Sequence, residues 1–311
     1  MLRSVARAFV GEGDLTERQG AVLVATAGVV FSFTAIAYRA VDDATDWQFL
    51  AYRGASTTAA MLVLTALRHS RRPVPFGQTN GRIVGAAAIL ALTSMLYILA
   101  LSRTSAAVTL FLLAAAPIFA AVVGWIALRE SVERPTIIAI ALTAVGIIVM
   151  VGSGLDAGSG VGVLFAALIP ICVGSYNVVL RSAGEVDPVI PALISGLMLT
   201  VVAGAVAVAT DGLAVSWHDA LLATVTGGFA LGVGLPMFNL GHRSVASARV
   251  SLLLMTEVVL APLWVWIWPG ERPRASTLIG GAIVLGTVVW LLTRVAETDP
   301  EDDLLASTPT V

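Results

Sequence analysis

Two ionisable side chains stand inside long apolar stretches of this sequence, where a charge is costly and therefore informative. Glu257 sits in the run Leu252-Leu253-Leu254-Met255-Thr256-Glu257-Val258-Val259-Leu260-Ala261-Pro262, eleven residues into an apolar stretch over 246–268. A charged carboxyl facing lipid at that depth costs at least ~2.5–3.5 kcal/mol, so it must face a protein interior. There it can relay a proton or meet a substrate ammonium group. It can equally be a neutral carboxyl hydrogen-bonded between helices, or the partner of a buried Arg. Arg53 lies seven residues into another stretch, ~10 Å from its end at 1.5 Å per residue. It can snorkel to the interface or hold a substrate carboxylate, and the structural role is the favoured reading.

Uncharged polar residues supply further cavity candidates: Tyr97, Ser175, Tyr176, Asn177, Asn239 and Thr256 all fall within apolar stretches. Asn and Ser also join membrane helices without any ligand, so each alone is weak evidence. Glu130 and Glu271 lie at stretch ends, where a carboxylate complements the dipole of the next helix, and are read as structural. Trp264, Trp266 and Trp268 close one stretch and read as an interfacial belt. His69, His218 and His242 fall in three different loops, and Cys172 is the lone thiol, so neither a catalytic histidine pair nor a metal site is expected. All 18 basic residues are Arg, which excludes Schiff-base chemistry. Pro117, Pro236, Pro262 and Gly232 are the candidate gating positions: Pro117 and Pro262 are expected to interrupt equivalent helices, and Gly232 lies in the glycine-rich run 227–236.

The elements that must position these residues follow from composition. The chain is 58% apolar and 12% charged, against roughly 25% charged in soluble domains. Cutting at charges and turn residues predicts ten spans, about 20–38, 46–67, 83–101, 105–128, 135–152, 161–180, 188–210, 217–240, 246–268 and 275–293. Each approaches the ~20 residues needed to cross ~30 Å of hydrocarbon. The first has a longer apolar run than a signal peptide and no small-residue cleavage site, and is read as a retained helix. Segment 1–19 is read as cytoplasmic, and the acidic tail 294–311 as disordered. No phosphate-binding loop followed by Lys appears, and nothing suggests a cofactor or nucleic-acid partner.

The second half repeats the first at an offset of 141 residues. Trp125 falls on Trp266, Ile126 on Ile267, Glu130 on Glu271, Thr136 on Thr277, Leu112-Leu113 on Leu253-Leu254 and Asp46 on Asp187. Tyr38-Arg39 falls on Leu180-Arg181, one residue out of step. Five spans per copy force the second copy to enter the membrane from the opposite side. The expected fold is an all-α polytopic membrane protein whose ten helices form two inverted repeats, 20–152 and 161–293, joined by the Gly/Ser-rich linker 152–160. With the N-terminus inside, thirteen arginines fall on inner segments and four (Arg39, Arg103, Arg272, Arg274) on outer loops, which places both termini in the cytoplasm.

The doubled order of small residues with Thr or Ser, a proline-bearing middle and a closing Glu over 104–130 and 245–271 resembles the drug/metabolite transporter superfamily, in particular its EamA-type members. Thr256-Glu257-Val258-Val259-Leu260-Ala261-Pro262 looks like the family's Leu-Glu-Pro pattern with the proline displaced, Tyr52-Arg53 resembles the arginine of its second helix, and Ser175-Tyr176-Asn177-Val178 with Arg181 resembles the start of its second repeat. Phe31-Ser32 stands where many members carry Trp-Gly or Trp-Ala, a departure that leaves the role of the first helix open. The resemblance implies a carrier, often an exporter, of small metabolites such as amino acids across a bacterial-type cytoplasmic membrane, acting as a monomer or homodimer, with proton coupling as an option. Few interior cations argue against phosphate-bearing substrates and for a small zwitterion. The competing classes are a lipid-modifying membrane enzyme, which would need polar groups clustered at one interface, and a receptor, which would need no duplication. The topology makes a prediction: a reporter fused after residue 157 is expected outside the membrane and one fused after residue 72 inside. Signal from the same side in both fusions would refute the inversion.

Overall fold

The computed structural model describes residues 15–69, 79–128, 134–152, 159–182, 187, 189–242, 244–245, 247–268 and 270–297. Every regular element among them is helical. The first half holds α1 (Glu17–Arg39), α2 (Asp46–His69), α3 (Gly81–Arg103), α4 (Ala106–Leu113), α5 (Ala116–Leu128) and α6 (Arg134–Gly152). The second holds α7 (Ser159–Ser182), α8 (Val189–Thr210), α9 (Trp217–Thr224), a π-helical segment (Val225–Leu231), α10 (Gly232–His242), α11 (Ser247–Ile267) and α12 (Ala275–Glu297).

Local chemistry sets where these helices begin. Thr16 and Gln19 form a reciprocal capping box on α1, with the Thr16 hydroxyl accepting from Gln19 N and the Gln19 side chain accepting from Thr16 N. Asn80 Oδ1 accepts from Arg82 N and Ile83 N at the start of α3, Ser105 Oγ from Val108 N, and Ser216 Oγ from Asp219 N. Gly212 and Gly270 turn the chain with φ of 79° and 72°, a region that favours glycine.

Helix covers most of each expected stretch where it is described, but 105–128 is divided into two helices by the turn at Ala114–Ala115. Six stretches are long and apolar enough to cross a membrane: Glu17–Arg39, Gly81–Arg103, Gly160–Val179, Val189–Thr210, Trp217–Phe238 and Ala275–Arg294. The pair Ala106–Leu113 and Ala116–Ala127, bent by 44°, adds a seventh. Among the described residues, length and apolarity by themselves therefore carry six crossings, or seven with the bent pair counted as one span. α2 falls short because Asp46, Gln48, Arg53 and a run of Ser and Thr dilute it; among the described residues, Arg134–Met150 and Leu253–Ile267 are shorter apolar helices. Large apolar side chains such as Ile126, Ile148, Val208 and Ile267 point outward, as they do on a lipid-facing surface. The chain is a multi-pass membrane protein.

The prolines act differently from expectation. Pro117 stands in the first turn of α5, where its missing N–H is not needed, directly after the bend at Ala114 and Ala115. Pro262, four residues beyond the position equivalent to Pro117, lies inside the unbroken α11, so of the two copies only the first is interrupted there. The irregularity of the second half sits instead in the π segment, where Gly232 N donates to Gly227 O, five residues back, and Pro236 follows inside α10.

Packing between the halves has a two-fold pattern. Exchange α1 with α7, α2 with α8, α3 with α9–π–α10, α4/α5 with α11 and α6 with α12, and the principal helix contacts map onto themselves. Thus α3 packs on α7 as α10 packs on α1, α5 on α7 as α11 on α1, and α3 on α8 as the π segment on α2. Of the contacts that are their own counterparts, α2 with α8 and α6 with α12 are the two most extensive. Both are built on facing glycines. A Cβ at Gly54 would lie 2.9 Å from Gly196 O and 2.7 Å from Thr200 N, and one at Gly146 would lie 2.9 Å from Gly280 O. Backbones this close exclude any side chain. Gly54→Val and Gly146→Val are expected to destabilise the fold by about 1–3 kcal/mol or more through forced separation, read as a lowered unfolding midpoint in detergent. Gly204→Ala, where a Cβ meets open space, serves as the neutral control.

Candidate functional site

The turn of α2 at Arg53 is held from two sides. Ser56 Oγ and Thr57 Oγ1 lie 3.0 Å and 2.8 Å from Arg53 O, and Thr57 Oγ1 also reaches Gly227 O at 3.2 Å. A Cβ at Gly227 would collide with Arg53 O and Ser56 Oγ, so the π segment rests backbone to backbone on this turn. Further along, a Cβ at Gly232 would lie 2.6 Å from Ala60 Cβ, and one at Gly234 2.6 Å from the Phe31 ring of α1. The widened π turn is thus clamped where α2 carries its charge. π segments of a single turn occur frequently at functional sites.

Arg53 points into the bundle and is 5% exposed, which overturns the snorkelling reading. Its Nε donates to Ser94 Oγ of α3 at 3.2 Å, while Nη1 is buried without a hydrogen-bond partner. One turn beyond Ser94 on the same helix face stands Tyr97, whose buried Oη likewise has no partner. Glu257 of α11, half-buried, lies close enough to both for their charges to interact, yet makes no direct ion pair with Arg53. These three residues form the candidate site.

α1 and α11 fix the height of Glu257. Trp264 Nε1 donates to Ser32 Oγ at 3.0 Å, Ser32 Oγ donates to Val29 O at 2.6 Å, and Phe33 stacks on Trp264 with ring centroids 5.7 Å apart. Gly28 passes the same helix, its Cβ position 3.5 Å from Glu257 N. Trp264 is therefore an interhelical clamp, while Trp266 and Trp268 are exposed as the belt reading expects.

The other candidates stand apart. Thr256 Oγ1 turns back to Leu253 O at 2.7 Å and Ser175 Oγ to Ile171 O at 2.8 Å. Tyr176 is half-buried on α7 and feels none of the three charges, and Asn177 beside it is exposed. The Asn239 side chain and Glu130 lie outside the described residues.

One end of the bundle carries a second polar assembly that the sequence reading did not foresee. Asp46 accepts from Tyr38 Oη, from Ser102 Oγ at 2.9 Å and from Arg103 Nη1 at 2.9 Å. Arg39 pairs with Glu271 at 2.9 Å and donates to Thr104 O at 2.8 Å. Glu271 Oε1 accepts from Ala106 N, so it serves the N-terminus of α4 and not that of the following helix. Nearby, the buried Asp219 accepts from the backbone N–H of Asp42, Asp43 and Ala44 at 2.9–3.0 Å, tying the α1–α2 loop to α9. Ser216 capping Asp219 N was the only sequence-level signal for Asp219; nothing marked Ser94 among the many Ser and Thr of the apolar stretches.

The Ser94 contact predicts a stability effect. Ser94→Ala leaves the buried Arg53 Nε without its acceptor and is expected to cost about 1–3 kcal/mol. Thermal unfolding in detergent checks this against Ser175→Ala, which removes only a bond within its own helix and should shift the midpoint far less.

Comparison with known proteins adds the family. A model described as the EamA-like transporter family matches residues 18–152 and again residues 160–293. A search of curated proteins found no match. A solved structure, described only as the crystal structure of a protein, is similar at 15% sequence identity with a TM-score of 0.63, covering 91% of this chain and 100% of its own, a likeness of fold. With the two matches together spanning most of the sequence, the chain belongs to the EamA-like transporter family.

Proposed function

We propose that the protein is a secondary transporter that moves small metabolites such as amino acids, by export, across a bacterial-type cytoplasmic membrane. In this reading all ten helical stretches cross, the two halves are inverted, both termini are cytoplasmic, and the protein works as a monomer or homodimer. The observation that carries it is a guanidinium, a phenol and a carboxyl gathered inside a membrane helix bundle beside a π segment. Charged groups at such depth are retained for transport pathways and proton relays far more often than for scaffolding. Motion would be absorbed where helices are already irregular, at the bend before Pro117 and at the π segment with Gly232 and Pro236. Pro262 would contribute through the hydrogen bond its ring removes from α11.

The enzyme alternative has one cluster to offer. Asp42, His218 and Asp219 converge at an end of the bundle, with His218 Nδ1 3.2 Å from Asp42 and 3.3 Å from Asp219. Asp219, however, spends its lone pairs on three backbone N–H groups, and Asp42 is exposed. That arrangement secures a loop and favours the transporter.

Glu257→Gln provides the test, since the amide keeps the shape but neither carries charge nor exchanges a proton. Counterflow and pH-driven accumulation are measured in reconstituted vesicles at two pH values. A proton-relaying Glu257 loses accumulation and keeps counterflow, whereas an ammonium contact loses both. Full activity of the variant in both assays at both pH values would remove Glu257 from the transport mechanism.

A further inference from the structure

The geometry points to Arg53 and Tyr97 as a paired subsite for a substrate carboxylate, so that the transported molecule is a carboxylate-bearing zwitterion whose ammonium faces Glu257. The inference rests on the transporter reading above and names the substrate class for the same site.

The argument starts from hydrogen bonds that the protein leaves unmade. Arg53 is buried, and of its five N–H donors the one on Nε is committed to Ser94 while Nη1 has no partner. Tyr97 Oη, also buried, has none. Buried polar groups in folded proteins are overwhelmingly paired, and an orphaned donor calls for a functional explanation. The Ser94 contact orients the guanidinium plane, and Ser94 and Tyr97 share one face of α3 three residues apart, so both orphaned donors belong to one locality. A carboxylate offers about four lone-pair sites and is matched by an arginine fork together with a phenol O–H.

Charge separates the alternatives. A single guanidinium lies in the site, and the nearest carboxyl, Glu257, stands back from direct pairing with it. An amine lacking a carboxylate would satisfy Glu257 and leave both donors of Arg53 and Tyr97 orphaned. A phosphate dianion would leave excess negative charge inside the bundle beside Glu257. A zwitterion leaves the site balanced, with each of its charged ends against the opposite sign.

The experiment uses the full-length protein in detergent and in vesicles. The probes are the twenty standard amino acids, each with its carboxamide and its decarboxylated amine. At least one amino acid is expected to raise the unfolding midpoint and to support counterflow, and its amide and amine at the same concentration to do neither. Tyr97→Phe removes a hydroxyl that bonds nothing in the protein, so its unliganded midpoint should equal or exceed that of the native chain. Its affinity for the stabilising amino acid should fall at least tenfold. Arg53→Lys keeps the charge but not the fork, and should weaken the same ligand by a similar factor. An amide or amine that stabilises the protein as well as the acid would overturn the carboxylate subsite while leaving transport standing. Tyr97→Phe binding the acid with undiminished affinity would overturn it as well. If the native protein moves no probe of any kind, the amino-acid transporter reading falls, and the subsite with it.

Discussion

Within hydrocarbon a backbone N–H or C=O finds no water, and every departure from a regular helix must be covered by another part of the protein. This constraint explains where the irregular backbone lies. The bend at Ala114 and Ala115 is buried, and Gly227 of the π segment rests directly on the α2 turn at Arg53. It also explains the glycines at the α2–α8 and α6–α12 crossings. Close backbone approach replaces the hydrophobic drive that lipid removes, because lipid tails solvate Leu as well as another helix does. The two halves meet through close backbone approach, and a network of polar contacts among the described residues lies at one end.

That end carries charged side chains in direct contact. Asp46 gathers Tyr38, Ser102 and Arg103, and Glu271 bridges Arg39 to the start of α4. The described residues at the opposite end of α1 instead meet their neighbours through Leu15, Leu23 and Leu240, and through Val24, Val245 and Val250. Directional ion pairs weaken with ionic strength, and apolar contacts weaken with cooling.

Much of this was legible in the sequence. Apolar stretches punctuated by charge anticipated an all-helical multi-pass chain, and the offset of 141 residues anticipated a packing pattern that maps onto itself. Glu257 and Arg53 stood out because charge in an apolar run is conspicuous, and the structure places them near one another. What the sequence hid depends on side-chain direction. Ser94 looks like Thr93 or Ser175 until the helices are packed. Arg53 could be read as snorkelling because its distance to the interface allowed it, and only the position of α3 decided otherwise. The π segment also left no period in the sequence, since Gly227 and Gly228 read as packing residues or a hinge equally well.

The frame is duplicated, but the charged site is not. At the repeat offset, Arg53 corresponds to Ile194, Tyr97 to Phe238 and Glu257 to Ala116. Rotating the molecule about its internal two-fold restores the helices and replaces the charged constellation with hydrocarbon. In the proposed transport cycle a bound molecule would have no equivalent pose to turn into: its polar end would stay with α2 and α3 whichever side of the membrane the bundle faced. In that proposal the near-symmetry would govern how the scaffold moves, and its local violation would give the cargo a fixed head and tail.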